Sequence, residues 1–373
     1  MRWRPAEGHF EVLGHGQLWF DDTGGLIGAA DVAEAASLTE LRNALERHRR
    51  LDGTMVEFML SVFDVDEDLL MEEEGSVSPR PIGLELTERH TFIVLTMAVE
   101  PEIRFNQHEL AAILWPQLTR HRAVVMELAQ DPLPLMNLTH LTVKIEPRGR
   151  TVGDALTVGD DLYALWMASL GGSLNPETVA DLVRAQRPQL LTGQPESVWL
   201  EAKGGAYDLS STLSQLELGK DVAALANRAD GGILLIGLTT GKTQGVDTIK
   251  KVVPLSKRDL RPSRYQQVID KVVFPRPQDL VIEFVEVEPD HGVMLILVPA
   301  QPEVLFPFLV IGAIREGKLL GNHFSLVRRR GDATGVSQAE AVHGLLVAGR
   351  AALATSANVG FSEHSRTPEV DEN

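Results

Sequence analysis

The sequence predicts an α+β protein built as two domains, and three observations predict it. Short apolar segments alternate with helix-period segments along the chain, and no long run of either kind dominates. A length of 373 residues is enough for two cores. The formal charge of −17 is also divided unevenly: residues 1–190 carry net −14, whereas residues 196–335 are net neutral. The expected plan is a separate acidic α+β domain of no recognised family over 1–150, then a helical connector over 151–190. A mixed α/β domain follows over 191–350, and a disordered acidic tail over 351–373.

Composition narrows the classes. Hydrophobic content of 44% allows each part a core. The chain has no cysteine, which removes disulfides, thiolate metal sites and cysteine nucleophiles. Two arginines near the start, Arg2 and Arg4, are not followed by the apolar run of a secretory leader. The longest apolar runs are too short to span a bilayer. A cytoplasmic protein without a membrane partner is expected.

Taking the elements in order, residues 1–36 read as short strands and glycine turns. Ser37 and Glu40 form a capping box, and Leu38, Leu41 and Leu45 then share one helical face. Residues 54–64 alternate as a strand, with Val56, Phe58, Leu60 and Val62 on one side. The acidic stretch 64–74 lacks calcium-loop spacing and reads as solvated loop. Strands are expected at 84–86, 90–99 and 140–146. Helices are expected at 106–114 and 118–129, separated at Pro116. In the connector, 160–170 and 176–187 read as a helix pair, the second started by Asn175 and Pro176. This outline resembles a helix-turn-helix, but Glu177 and Asp181 suit a recognition helix poorly. A plain connector is the better reading.

The second domain opens on residues 195–238. A short strand at 199–203 leads to an amphipathic helix at 217–229, with Leu218, Val222, Leu225, Ala226 and Ala229 at helical spacing. Asp230, Gly231 and Gly232 stop the helix, and 233–238 reads as a buried strand. A turn at 239–245, a helix after Pro262 and strands at 280–288, 293–299, 305–314 and 324–329 complete the sheet. A last helix starts at Ser337.

The opening stretch resembles the Schlafen AlbA-type domain (divergent AlbA, AlbA_2). The residues that carry the resemblance are Glu196-Ser197, Glu201 and Lys203, the helical segment Ala223 to Asn227, Gly231-Gly232 and Gly237-Leu238. Arg330-Gly331 and the last helix resemble that domain's closing strand and helix, so the resemblance covers roughly 190–350. It implies a mixed α/β domain acting on or near nucleic acid. It also implies that Glu196 and Glu201 are two members of a carboxylate cluster which, in Schlafen-type ribonucleases, supports metal-assisted RNA cleavage. The third member, an aspartate after the central strand, is absent: Thr239 and Thr240 stand there.

Other motifs were weighed on spacing and charge. Gly241-Lys242-Thr243 resembles a phosphate-binding loop one residue too short, so a tight turn is preferred. The histidines form no metal-ligand spacing, and no metal site is assigned to them. The basic stretch Lys250, Lys251, Lys257, Arg258, Arg261, Arg264, Lys271 and Arg276 can follow a phosphate backbone, with Tyr265 and Phe274 to stack a base. On the closing strand, alternation puts Arg328 and Arg330 on one face.

The expected function is a nucleic-acid-associated regulatory protein without catalysis. Its RNA- or DNA-binding residues are Lys203, Lys250, Lys251, Lys257, Arg258, Arg261, Arg264, Arg328 and Arg330. Two alternatives stand beside it. One is a metal-dependent ribonuclease using Glu196 and Glu201, which alone would call for Mg²⁺ or Mn²⁺. The other is a protein-interaction module that has lost its nucleic acid. The acidic N-terminal domain is expected to take a protein partner, since phosphate contacts dominate nucleic-acid affinity and its charge opposes them.

Overall fold

The structure is a computed structural model. It describes residues 90–170, 173–315 and 318–330 without a break, together with 82–87, 333–336 and pieces of 2–60 and 342–349. The acidic stretch 64–74 and the tail 351–373 lie outside the described residues. The protein is α+β and its contacts divide it into two compact units, Met1–Gln194 and Pro195–Asn373.

Unit 1 begins with strands β1 (Arg2–Arg4), β2 (His9–Val12), β3 (Gly16–Phe20) and β4 (Leu26–Ile27), which form a small antiparallel sheet in sequence order. Helix α1 (Leu38–Asp52) follows. The main sheet contains β5 (Phe58–Leu60), β6 (Ile82–Leu86), β7 (Thr91–Val99), β8 (Val124–Pro132) and β9 (Asn137–Ile145) in the order β5-β6-β7-β9-β8. Strands β6, β7 and β9 alternate along their length: Leu84, Ile93, Leu95, Leu141 and Val143 are buried on one face. Helix α2 (Gln107–Arg120) lies between β7 and β8, helices α3 (Val152–Ala168) and α4 (Pro176–Arg184) follow β9, and α3 packs on β6 and β7. A Cβ at Gly159 would come within 2.6 Å of Ile82, so glycine lets α3 approach the sheet. Trp166 is fully buried and meets Phe105 edge-on at 5.5 Å.

Two expectations are corrected here. The helices expected as a connector belong to the first unit: α3 supplies Val152, Leu156, Leu162 and Leu165 to its core. The capping box of Thr151 and Asp154 starts α3 well before the expected 160. The helix expected at 118–129 is instead the end of α2 followed by strand β8. Pro116 sits inside α2, so the proline did not divide the helix. Strand β8 lacks clean alternation because a bulge between Val125 and Glu127 shifts its register, which let it pass for a helix.

Unit 2 has a five-stranded sheet. Strand β10 (Leu200–Lys203) runs parallel to β11 (Gly232–Ile236). Further along the chain come the hairpin strands β12 (Leu238–Thr243) and β13 (Val246–Val252), then β14 (Leu255–Ser256), β15 (Val273–Phe274), β16 (Val281–Glu288) and β17 (His291–Val298). Strand β17 pairs antiparallel with β11, β16 and β14. A second sheet joins β15 to β18 (Leu309–Arg315), β19 (Lys318–Arg330) and β20 (Ala333–Val336). Helices α5 (Thr212–Ala226) and α6 (Pro262–Val272) fill the core beside the two sheets with Leu218, Val222, Leu225, Tyr265, Ile269 and Val272. The segment expected as a turn at 239–245 is largely strand: Gly241 and Lys242 lie in β12, and the reversal falls at Gln244 and Gly245, both at positive φ.

Two residues of the opening stretch have clear structural work. Gly231 has φ +64°, and a Cβ there would lie 2.1 Å from the Val298 carbonyl oxygen, so only glycine turns α5 into β11. Asn227 caps α5 and ties it to the second sheet. Its Nδ2 donates to the carbonyls of Phe308 (2.8 Å) and Val327 (3.0 Å), and its Oδ1 accepts from the Phe308 N–H (2.8 Å). Replacing Asn227 with alanine is expected to cost about 2–3 kcal/mol, since it strands buried backbone groups. Urea unfolding measures this, and a change within error of wild type would show that water replaces the amide.

Candidate functional site

Strand β10 delivers Glu201 and Lys203 to a cleft edge, and α5 delivers Asp221 from the other side. The Lys203 ammonium donates to Glu201 Oε1 at 2.5 Å and stands 3.5 Å from Asp221 Oδ2. Asp221 Oδ2 also accepts from the Tyr207 hydroxyl at 2.5 Å. The backbone N–H of Tyr207 in turn donates to the Tyr265 hydroxyl at 3.2 Å. Glu196, Glu201 and Asp221 are all buried, whereas the Lys203 side chain is 37% exposed.

The electrostatics follow from this geometry. Burial pulls the Lys203 pKa down, but Asp221, Glu201 and Glu196 together outweigh it, so the net shift is upward. Burial raises the Tyr207 hydroxyl well above its ordinary value, with Asp221 adding to the shift. Burial raises Tyr265 to about 12. Lysine and both tyrosines therefore keep their protons at neutral pH; Lys203 and Tyr207 act as donors, while the Tyr265 hydroxyl accepts from the Tyr207 N–H. A cleft of about 480 Å³ opens beside the cluster, lined by Lys203, Tyr207, Ser214, Glu217, Lys220 and Asp221.

The two carboxylates that the resemblance implies both act on the Lys203 ammonium. Glu196 Oε1 accepts the Ala202 N–H at 2.8 Å, and Glu201 Oε1 carries the lysine ammonium. Among the described residues, no group of three His, Cys, Asp or Glu could hold a metal ion. Thr239, at the position of the absent third acid, uses its hydroxyl to donate to the Lys251 carbonyl at 3.2 Å.

Asp221 was not among the expected site residues. Its signal was present in the sequence: it is three residues after Leu218 and one before Val222, so a carboxylate falls on the apolar stripe of α5. Tyr207 lies in the irregular segment after β10, where no periodicity marks it.

The expected phosphate-binding residues separate into three groups. Lys203 is neutralised inside the cluster, and three carboxylates around one ammonium oppose an incoming phosphate. Lys250 and Lys257 are exposed but engaged: Lys250 donates to the Thr243 hydroxyl, while Lys257 pairs with Glu286 at 3.4 Å and sits 5.8 Å from the Phe284 ring centre. Lys251, Arg258, Arg261 and Arg264 are exposed and make no ion pair among the described residues. Arg261 precedes α6, whose first turn contains no acidic residue. Tyr265 is fully buried and cannot stack a base, which corrects that expectation, whereas Phe274 is exposed. Arg328 and Arg330 lie on β19 opposite Gly335 and Ala333, and their side chains lie outside the described residues.

No helix among the described residues is long and apolar enough to cross a membrane. No protein-family model matches the chain. No curated protein matches it either. Among solved structures, two show a slight likeness to parts of it. The DIP2311 protein from Corynebacterium diphtheriae is 17% identical over 43% of this chain and 26% of that one, with a TM-score of 0.25. The chain thus spans about a quarter of that protein. The N-terminal domain of a RecG-related protein from Nitrosomonas europaea is 20% identical over 34% of this chain and 88% of that one, with a TM-score of 0.23. Likenesses this slight carry no argument about function.

Proposed function

We propose that this chain is a nucleic-acid-associated regulatory protein whose second unit, a Schlafen AlbA-like domain, holds a phosphate backbone without cleaving it. The observation that carries the reading is the group Lys251, Arg258, Arg261 and Arg264: four exposed cations within fourteen residues, none in an ion pair among the described residues. Solvated cations without carboxylate partners release counterions when they meet phosphates, and that release drives sequence-independent binding. Exposed Phe274 supplies a face on which an unpaired base can stack. The partly buried Glu201–Lys203–Asp221–Tyr207 cluster acts as scaffold. It joins β10 to α5 beside the cleft and takes no part in contact with phosphate.

Fluorescence anisotropy with labelled single- and double-stranded RNA and DNA, across a salt series, tests this. The expected result is an affinity that falls linearly in log–log form with salt concentration, and an intact oligonucleotide after incubation with Mg²⁺ or Mn²⁺. Absence of binding at low salt would overturn the binding reading. Metal-dependent cleavage lost in Glu201→Ala would overturn the non-catalytic one.

A further inference from the structure

Strand β8 is the outer strand of the main sheet in unit 1, and its free edge has no strand partner among the described residues. Nine residues long, it spans about 30 Å at roughly 3.3 Å per residue. Proteins normally protect such an edge with charge, proline or a covering loop. Here the bulge at Val125–Glu127 is present, yet apolar side chains remain exposed at both ends of the strand. Val124 and Met126 are exposed at its start. Leu133, Leu135 and Met136 are exposed in the turn that follows its end, with Leu135 84% exposed. Helix α2, which packs beside β8, adds Trp115 at 66% exposure. Exposed clusters of this kind mark interaction sites rather than ordinary surface.

We infer that β8 is the interface of a two-fold homodimer, formed by antiparallel pairing with β8 of a second copy of this chain. The arrangement of the patch selects that occupant. In an isologous contact the same surface must complement itself. Antiparallel pairing sets the start of one β8 beside the end of the other. The apolar turn of each copy then covers Val124 and Met126 of the other, near the α2 that carries Trp115. Charges follow the same rule. Exposed Arg120 and Arg122 precede the strand, while exposed Asp131 stands near its end. Antiparallel pairing places opposite charges together, and parallel pairing would place like charges together. With Leu128 near the two-fold axis, Glu127 faces Ala129 rather than another acid.

The test uses the full chain. Sedimentation velocity over a concentration series is expected to give a species of twice 40.9 kDa. The double variant Met126→Asp/Leu135→Asp, changed only at exposed positions, is expected to halve that mass while retaining the wild-type circular dichroism spectrum. Hydrogen exchange of the wild-type chain gives an independent measure: amides along β8 are expected to exchange more slowly in the dimer than in diluted protein. A wild-type monomer at every concentration would overturn the proposal. So would a trimer or larger species, a dimer that survives the double variant, or β8 exchange independent of concentration.

Discussion

Replacing Lys203 with methionine is expected to destabilise the second unit by about 2 kcal/mol at neutral pH. The substitution keeps most of the side chain's length and apolar stem but removes the ammonium that meets Glu201 and Asp221 and feels Glu196. Removing one partner of a fully buried ion pair costs about 3–5 kcal/mol. The value here is set lower because the Lys203 side chain is 37% exposed and partly screened by solvent. Native-state hydrogen exchange of the β10 and β11 amides, read against urea, isolates this unit from the other. The pH dependence gives a second measure. The folded pKa of Lys203 is raised above its ordinary 10.5. Its stabilisation is therefore complete below that value in the wild type and is lost as pH rises through the folded pKa. The methionine variant lacks this alkaline loss. The double variant with Glu201→Gln should recover part of the stability, because one stranded carboxylate disappears with its partner. Equal stability of the wild type and Lys203→Met at neutral pH would show that the cluster is not a scaffold.

The elements that sequence reasoning recovered are those where burial is one-sided or complete. Strand β7 alternates over nine residues, and β11 is an unbroken apolar run closed by glycines, so period and punctuation alone identify them. The failures share a physical cause. Strand β8 is an edge with a bulge, so neither period describes it. Pro116 was read as a helix boundary, but a proline inside a helix is tolerated where tertiary packing outweighs its local cost, and Leu114 and Leu118 are buried on either side of it. A lysine two residues after a glutamate looks the same in sequence whether it faces solvent or a third group. Only the fold brings Asp221 from α5 to 3.5 Å from it. The exposed cations were legible as a composition bias, but which of them are already compensated was not. Glu286, which pairs with Lys257, is 29 residues away in the chain.

That distinction sets the size of the largest expected effect on binding. Reversing Lys251, Arg258, Arg261 and Arg264 together to glutamate should weaken nucleic-acid affinity by about two to three orders of magnitude, and should flatten the salt dependence by about three units of log–log slope. Each phosphate contact contributes about 0.7–0.9 to that slope, so four lost contacts predict both its direction and its size. Stability should hardly change. All four side chains are exposed and make no ion pair among the described residues, and substitutions at such positions usually stay within about 0.5 kcal/mol. Lys257→Glu alone should have a smaller effect on binding than any one of the four, because Glu286 already offsets its charge. Lys203→Met should leave affinity within about twofold, since its ammonium is held by carboxylates. Anisotropy titrations at several salt concentrations separate these outcomes. A fourfold reversal that leaves the slope intact would move the phosphate path away from β13 and α6. A large loss in Lys203→Met, with unchanged stability, would place that path in the cleft instead.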